Sequence, residues 1–334
     1  MSESDAKDNE LENTSDQPDG GEQRSSEDDV DTADTIEVSD TSNEQENTSE
    51  NSPEEDPKEA PEEAPSRESN ERILGFGSHG WKVAGAVIRG PSHVKKGVVC
   101  QDAAAAGTKD QFLAAVICDG AGSRANSDEG AALVADYIVE ALLELTPGKD
   151  VEREEEDWLE PQVLAVIAEA RANLVKVAEA RNTSISNFAC TVVGLFQTRD
   201  LTICFHLGDG LLLSFSGDRS VTHVSYGTPS EYANEAYFLS DPSWRDHIIM
   251  QRLEDGSDSF CLMTDGVSPF ALEEGGPKLS FLHPILKYVE GHDPEKSGGA
   301  IRQLLTRDEA QEKVGDDKSF IAILPFATEE QAEE

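Results

Sequence analysis

The chain has 334 residues, with 68 Asp and Glu against 27 Lys and Arg and a formal charge of −41. So acidic a composition excludes a nucleic-acid binder, which needs a basic face, and argues against docking on an anionic membrane. No run reaches the roughly 18 apolar residues of a spanning helix, and the opening MSESDAKDNE has neither the basic nor the apolar region of a signal peptide.

Residues 1–70 hold 25 acidic residues against 4 basic ones and contain no Phe, Trp, Tyr or Cys. Such a segment buries too little apolar surface to offset the entropy of ordering it, so a disordered acidic tail is expected. A single globular domain is expected over 71–334. Strand-like runs follow at 82–89, 98–106, 111–119, 189–197, 201–209, 211–217, 247–253, 259–265 and 318–326, short, β-rich and bounded by Gly, Asp, Lys or Ser. Two long helices are predicted after the third strand, over 127–145 and 160–181. Ser127 is the expected N-cap of the first, and Leu133, Val134, Ile138, Ala141 and Leu142 recur at helical spacing. A late pair is predicted over 279–290, interrupted at Pro284, and over 293–307, capped by Asp293 with Pro294 at the first helical position. Strands, two helices, strands, two helices and a last strand do not alternate as a doubly wound parallel sheet does. Antiparallel sheets covered by helix pairs suit this order.

Five cysteines, Cys100, Cys118, Cys190, Cys204 and Cys261, show no CxxC spacing. Buried free thiols in a reducing cytoplasm are expected.

Four apolar runs carry or end on an aspartate: VVCQDAA at Asp102, AVICDGAG at Asp119, CFHLGDG at Asp209 and FCLMTDGV at Asp265. A fifth feature, GDDKSFIAIL, sets Asp316 and Asp317 before the last strand. Any one of these reads as a turn. Together they suit a hard divalent cation, which takes several carboxylate oxygens converging from separate elements.

Read in order, GPSHVKKGVVCQDA (90–103), AAVICDGAGSRANSDEGA (114–131), ACTVVGLF (189–196), HLGDG (206–210), YGTPSEYANEAYFLSD (226–241), CLMTDGV (261–267) and GDDKSFIAIL (315–324) resemble the metal-dependent type 2C protein serine/threonine phosphatases, in a compact bacterial branch. The resemblance implies an α+β fold, a four-layer α-β-β-α sandwich of two antiparallel sheets flanked by helix pairs. It implies two manganese or magnesium ions at one end of the sandwich, with Asp119 bridging them and acting with Asp102 at the catalytic centre. Gly120 would add its carbonyl, Asp102 would serve one ion, Asp265 and Asp316 the other, and Asp209 would help hold a third. Gln101 would hold water beside them. The implied activity is hydrolysis of phosphoserine and phosphothreonine in a protein substrate, opposing a serine/threonine kinase, by a cytoplasmic monomer.

The sequence departs from that family at two places. The arginine that many members use to grip phosphate is Gly97 here, which leaves His93, Lys95 and Lys96 as the nearby positive groups. The histidine that some members place after the Asp-Gly is Ala121, so His93 or a water would have to supply the leaving-group proton. His206 reads as a packed strand histidine. The alternative is a non-hydrolytic signalling or scaffold module of the same fold.

Overall fold

The computed structural model describes residues 69–145, 158–198, 201–228, 236–253 and 256–325. The tail expectation for 1–70 therefore lies almost wholly outside the described residues. Contacts within the chain group Glu63–Glu334 as one unit.

Two antiparallel sheets dominate it. The first runs β1 (Arg72–Ser78), β2 (Trp81–Ile88), β13 (Lys318–Pro325), β10 (Ser259–Met263), β7 (Leu211–Phe215) and β8 (Val221–Tyr226), in that order across the sheet. The second runs β3 (Ala103–Lys109), β4 (Phe112–Cys118), β5 (Val192–Gln197), β6 (Thr202–Leu207) and β9 (Ile249–Arg252). A two-residue pair, β11 (Leu272–Glu273) and β12 (Gly276–Pro277), stands apart. The long helices are α2 (Ser127–Leu143), α3 (Leu159–Ala180), α6 (Leu279–Gly291) and α7 (Pro294–Leu305); the short ones are α1 (Pro91–Lys96), α4 (Trp244–His247), α5 (Ser268–Ala271) and α8 (Asp308–Lys313).

Three apolar layers explain why the elements stack. Val134, Ile138 and Leu142 of α2 and Val163, Ile167 and Leu174 of α3 meet Val116, Phe196 and Phe205 of the second sheet. Leu282, Leu286, Ile301 and Leu305 of α6 and α7 meet Leu213, Met263 and Phe320 of the first. Between the sheets, Val83, Leu113, Ile117, Leu195, Phe260 and Ile321 close the middle layer. Successive strand residues point to opposite faces, so β4 sends Val116 to the helices and Ile117 to the facing sheet. Strands apolar on both faces are what a four-layer sandwich requires, and the expected architecture is the one observed.

Differences from the expected elements have local causes. The strand expected from residue 98 begins at Ala103, because the Gln101 N–H donates across the molecule to Asp317 Oδ2 (2.6 Å) rather than to a neighbouring strand. The strand expected from 189 begins at Val192; residues 189–191 instead bind the loop after β4, through Ala121 N to Ala189 O and Thr191 N to Asp119 O. Ser127 is the first helical residue of α2 rather than its cap, and its Oγ accepts from Gln101 Nε2 (2.8 Å). Helix α6 continues through Pro284, whereas Asp293 caps α7 as expected, accepting from the N–H groups of Glu295 and Lys296. Strands β1 and β8 and helices α1 and α8 are further elements that the periodicity did not reveal.

The hairpin tips of β1–β2 and β3–β4 lie at one end of the strands, where His79 Nδ1 is 3.3 Å from Thr108 Oγ1. The other end gathers the segments that follow β2 and β4 and that precede β3 and β13.

Candidate active site

Asp119 directly follows β4, every residue of which is buried. Its backbone is pinned to Thr191 twice: Asp119 N donates to Thr191 Oγ1 (2.9 Å), and Thr191 N donates to Asp119 O (2.8 Å). Gly120 N then donates to Gln101 O (3.1 Å). A Cβ at Gly120 would stand 2.6 Å from that carbonyl and 2.7 Å from Ser127 O, so only glycine lets the segments before β3 and before α2 approach this closely. The opening of β3 brings Asp102, 1% exposed, whose Oδ2 accepts from Thr264 Oγ1 (2.8 Å) and Ser319 Oγ (2.7 Å). Thr264 adjoins Asp265 at the end of β10, and Ser319 lies in β13, so Asp102 is tied to the strands that deliver Asp265 and Asp316.

The carboxyls of Asp119 and Asp265 are close enough to act on each other's acidity. Burial pushes the Asp119 carboxyl well above the usual carboxylate range, and the charges of Asp102 and Asp265 push it further. Burial and Asp317 do the same to Asp102. Asp265 is raised to about 6 by burial and then by Asp209. Partial burial and Asp316 raise Asp209, which follows β6. Among the described residues, the strongest charges acting on all four groups are those of other aspartates. Asp102, Asp119, Asp209, Asp265 and Asp316 thus act on one another electrostatically from five chain segments, while His93, Asp316 and Asp317 form the group whose ligand atoms lie within 4.8 Å of one another among the described residues.

This donor set fits a hard divalent cation: carboxylate oxygens repel one another when ionised, and a cation removes that penalty. An orphaned acceptor points the same way. Gln101 is buried and its Nε2 is occupied by Ser127, while its Oε1 has no partner and lies 3.9 Å from where a Gly122 Cβ would stand, under the turn that follows Gly120. Lys318, fully buried, is spent on Val314 O (2.6 Å) and Asp316 O (2.9 Å).

The expected phosphate-side groups are placed differently from one another. Lys95 and Lys96 are exposed in the last turn of α1. His93, on the same helix, is buried, with Nδ1 2.9 Å from Asp317 Oδ1 but off the line that an N–H···O bond needs, and Nε2 3.9 Å from Asp316 Oδ1. Gly97 ends α1 at φ +69°, with its N–H on the carbonyls of His93 and Val94; this left-handed cap is a local reason for glycine where an arginine could stand. His206 is the packed histidine expected: fully buried, its Nδ1 2.9 Å from Ser225 Oγ, and lowered by burial to about 4. Sequence reasoning missed Thr264 and Ser319, hydroxyls inside apolar runs whose only signal is that each lies within three residues of a candidate aspartate.

The sequence model of protein phosphatase 2C matches residues 89–305. The chain belongs to the protein phosphatase 2C family. Serine/threonine-protein phosphatase 3 of Escherichia coli (strain K12) is 26% identical over 256 residues, which cover 73% of this chain and 98% of that protein. Among solved structures, serine-threonine phosphatase 2C from Toxoplasma gondii has the same fold at a TM-score of 0.53 and 13% identity, covering 77% of this chain and 98% of the other. A C. elegans sex determining protein follows at 0.52 and 17% identity, covering 75% and 66%. This family member is of the bacterial type. All five of its cysteines are free and buried, and no helix among the described residues is long and apolar enough to cross a membrane.

Proposed function

We propose that this protein phosphatase 2C member hydrolyses phosphoserine and phosphothreonine in other proteins and so opposes a serine/threonine kinase. The reading assigns two divalent cations, manganese or magnesium, to Asp102, Asp119, the Gly120 carbonyl, Asp265 and Asp316, with Asp209 available to a third. The observation that carries it is the hydrogen-bonded junction that ties Asp102 to Thr264 and Ser319 and Gly120 to Gln101, so that the segments bearing Asp102, Asp119, Asp265 and Asp316 are joined at one end of two sheets.

Bound divalent ions of this kind lower the pKa of coordinated water and offset charge on phosphoryl oxygens. The chain's own residues do the rest. Thr264 and Ser319 fix one oxygen of Asp102, so the other keeps its direction. Thr191 fixes Asp119 through the backbone. Gln101 Oε1 is the acceptor for a site water. Lys95 and Lys96, exposed on α1, attract the phosphoester dianion as point charges, a looser grip than the bidentate fork of arginine. Ala121 carries no proton, so the leaving oxygen takes one from water. The catalytic unit runs from residue 71 onward, with the acidic 1–70 segment as a tail. Five free buried thiols suit a reducing cytoplasm, and the reading takes the chain as a monomer.

The test is phosphate release from a phosphothreonine peptide with manganese, with magnesium, with chelator, and with Asp119→Ala under manganese. Release that needs the metal and disappears in the variant is the expected result. No release by a wild-type chain that still binds manganese in a calorimeter would overturn hydrolysis in favour of a binding module, with Gly97 the first place to look.

A further inference from the structure

Two adjacent aspartates precede β13, and the structure gives them opposite fates. The Asp316 side chain is 58% exposed, whereas that of Asp317 is 2% exposed. Although His93, Asp316 and Asp317 offer atoms that lie within 4.8 Å of one another, we infer that Asp317 acts as a positioning residue for the cation-binding carboxylates. The inference rests on the metal reading above.

Both oxygens of Asp317 are already engaged. Oδ1 accepts from Gly90 N at 2.6 Å and Oδ2 from Gln101 N at 2.6 Å, donors more than 200 positions away in the chain. His93 Nδ1 stands 2.9 Å from Oδ1 on a further side. Short bonds from N–H groups to an ionised acceptor are the strong ones, and a buried carboxylate deprived of its donors is costly. Carboxylate and donors therefore hold each other in place.

Each contact leads to one ligand-bearing segment. Gln101 is the residue before Asp102. Asp317 N donates to Asp316 Oδ1 at 2.9 Å. The Asp317 carbonyl lies so close to Gly266, the residue after Asp265, that a side chain there would overlap it. Gly90 in turn rests directly on the main chain of Asp316, with no room for a Cβ. Through its carboxylate and its main chain, Asp317 thus sets the spacing of the segments that bear Asp102, Asp265 and Asp316 before any cation arrives, the support that a preorganised site needs from behind its ligands.

Manganese binding to the full chain, measured by titration calorimetry, tests this without reference to turnover. Asp317→Asn removes the charge and one acceptor. Asp317→Glu keeps the charge and displaces it by one methylene. Both are expected to weaken manganese binding at least tenfold, with the thermal midpoint in chelator confirming a folded chain. Loss in Asp317→Asn but wild-type affinity in Asp317→Glu would mean that only the charge matters and would overturn the inference; so would wild-type affinity in both. Should neither fold, His93→Gln carries the test: it withdraws one neighbour of Oδ1 and leaves the charge, and a two- to fivefold weakening is expected, with no change overturning the inference. A wild-type chain that binds no manganese would overturn the metal reading and this assignment with it.

Discussion

Without metal, the site should make the protein less stable as pH rises, and Asp265 sets the scale. Unfolded, an aspartate loses its proton near 3.8; in the fold Asp265 keeps it to about 6. Between those values the folded chain binds more protons than the unfolded one, so raising the pH favours unfolding. A gap of about 2.2 in pH, at ~1.36 kcal/mol for each, caps the effect at about 3 kcal/mol. Partial exposure of Asp265 and sharing of the strain with Asp119 and Asp209 bring the expected loss to about 1–2 kcal/mol. The assay is urea unfolding in chelator at pH 4.5 and pH 7 for the wild type and Asp265→Asn. The variant should be the more stable by about 1–2 kcal/mol at pH 7, with the advantage shrinking towards pH 4.5. Manganese at about 100 times its dissociation constant adds about 2.7 kcal/mol to whichever chain binds it, so at pH 7 it should reverse the order in favour of the wild type. A variant no more stable than the wild type in chelator at pH 7 would refute the account of mutual carboxylate repulsion.

Three other outcomes follow from geometry already described. Gly90→Ala forces a methyl onto the main chain of Asp316 and should cost about 1–3 kcal/mol in urea unfolding, with weaker manganese binding in the same preparation. Phe260→Ala empties part of the layer between the sheets, where the ring is fully buried; a loss of about 3–5 kcal/mol is expected, seen as a lower thermal midpoint. Asp293→Ala removes the acceptor for two N–H groups at the start of α7 and should cost about 1 kcal/mol, while phosphate release at 25 °C stays unchanged.

The sandwich was legible because its strands are apolar on both faces and its long helices keep their period. The candidate ligands were legible because an aspartate at the end of an apolar run is conspicuous at Asp119 and Asp265. Other features have no local signature. Nothing near Asp316 and Asp317 tells the two apart; the difference is made by Gly90 and Gln101, far away in the chain. The late start of β3 has the same distant cause. Strand β1, with two glycines and a half-exposed face, lacks clear alternation, and α1 is too short, at six residues, to show a period. His93, expected with Lys95 and Lys96 as a positive group or with water as a proton donor, lies on α1, and once that helix forms the ring turns inward to Asp317.

The hairpin tips at His79–Gly80 and Asp110 stand at the far end of the strands from Asp119, held to each other by His79 and Thr108. Both His79 and Asp110 adopt positive φ, at 50° and 54°, so these turns are shaped by their own backbone and owe nothing to the carboxylates. An engineer wanting a dye, an affinity handle or an inserted partner domain on this enzyme would put it there. Substrates would approach one pole of the molecule while the attachment occupied the other.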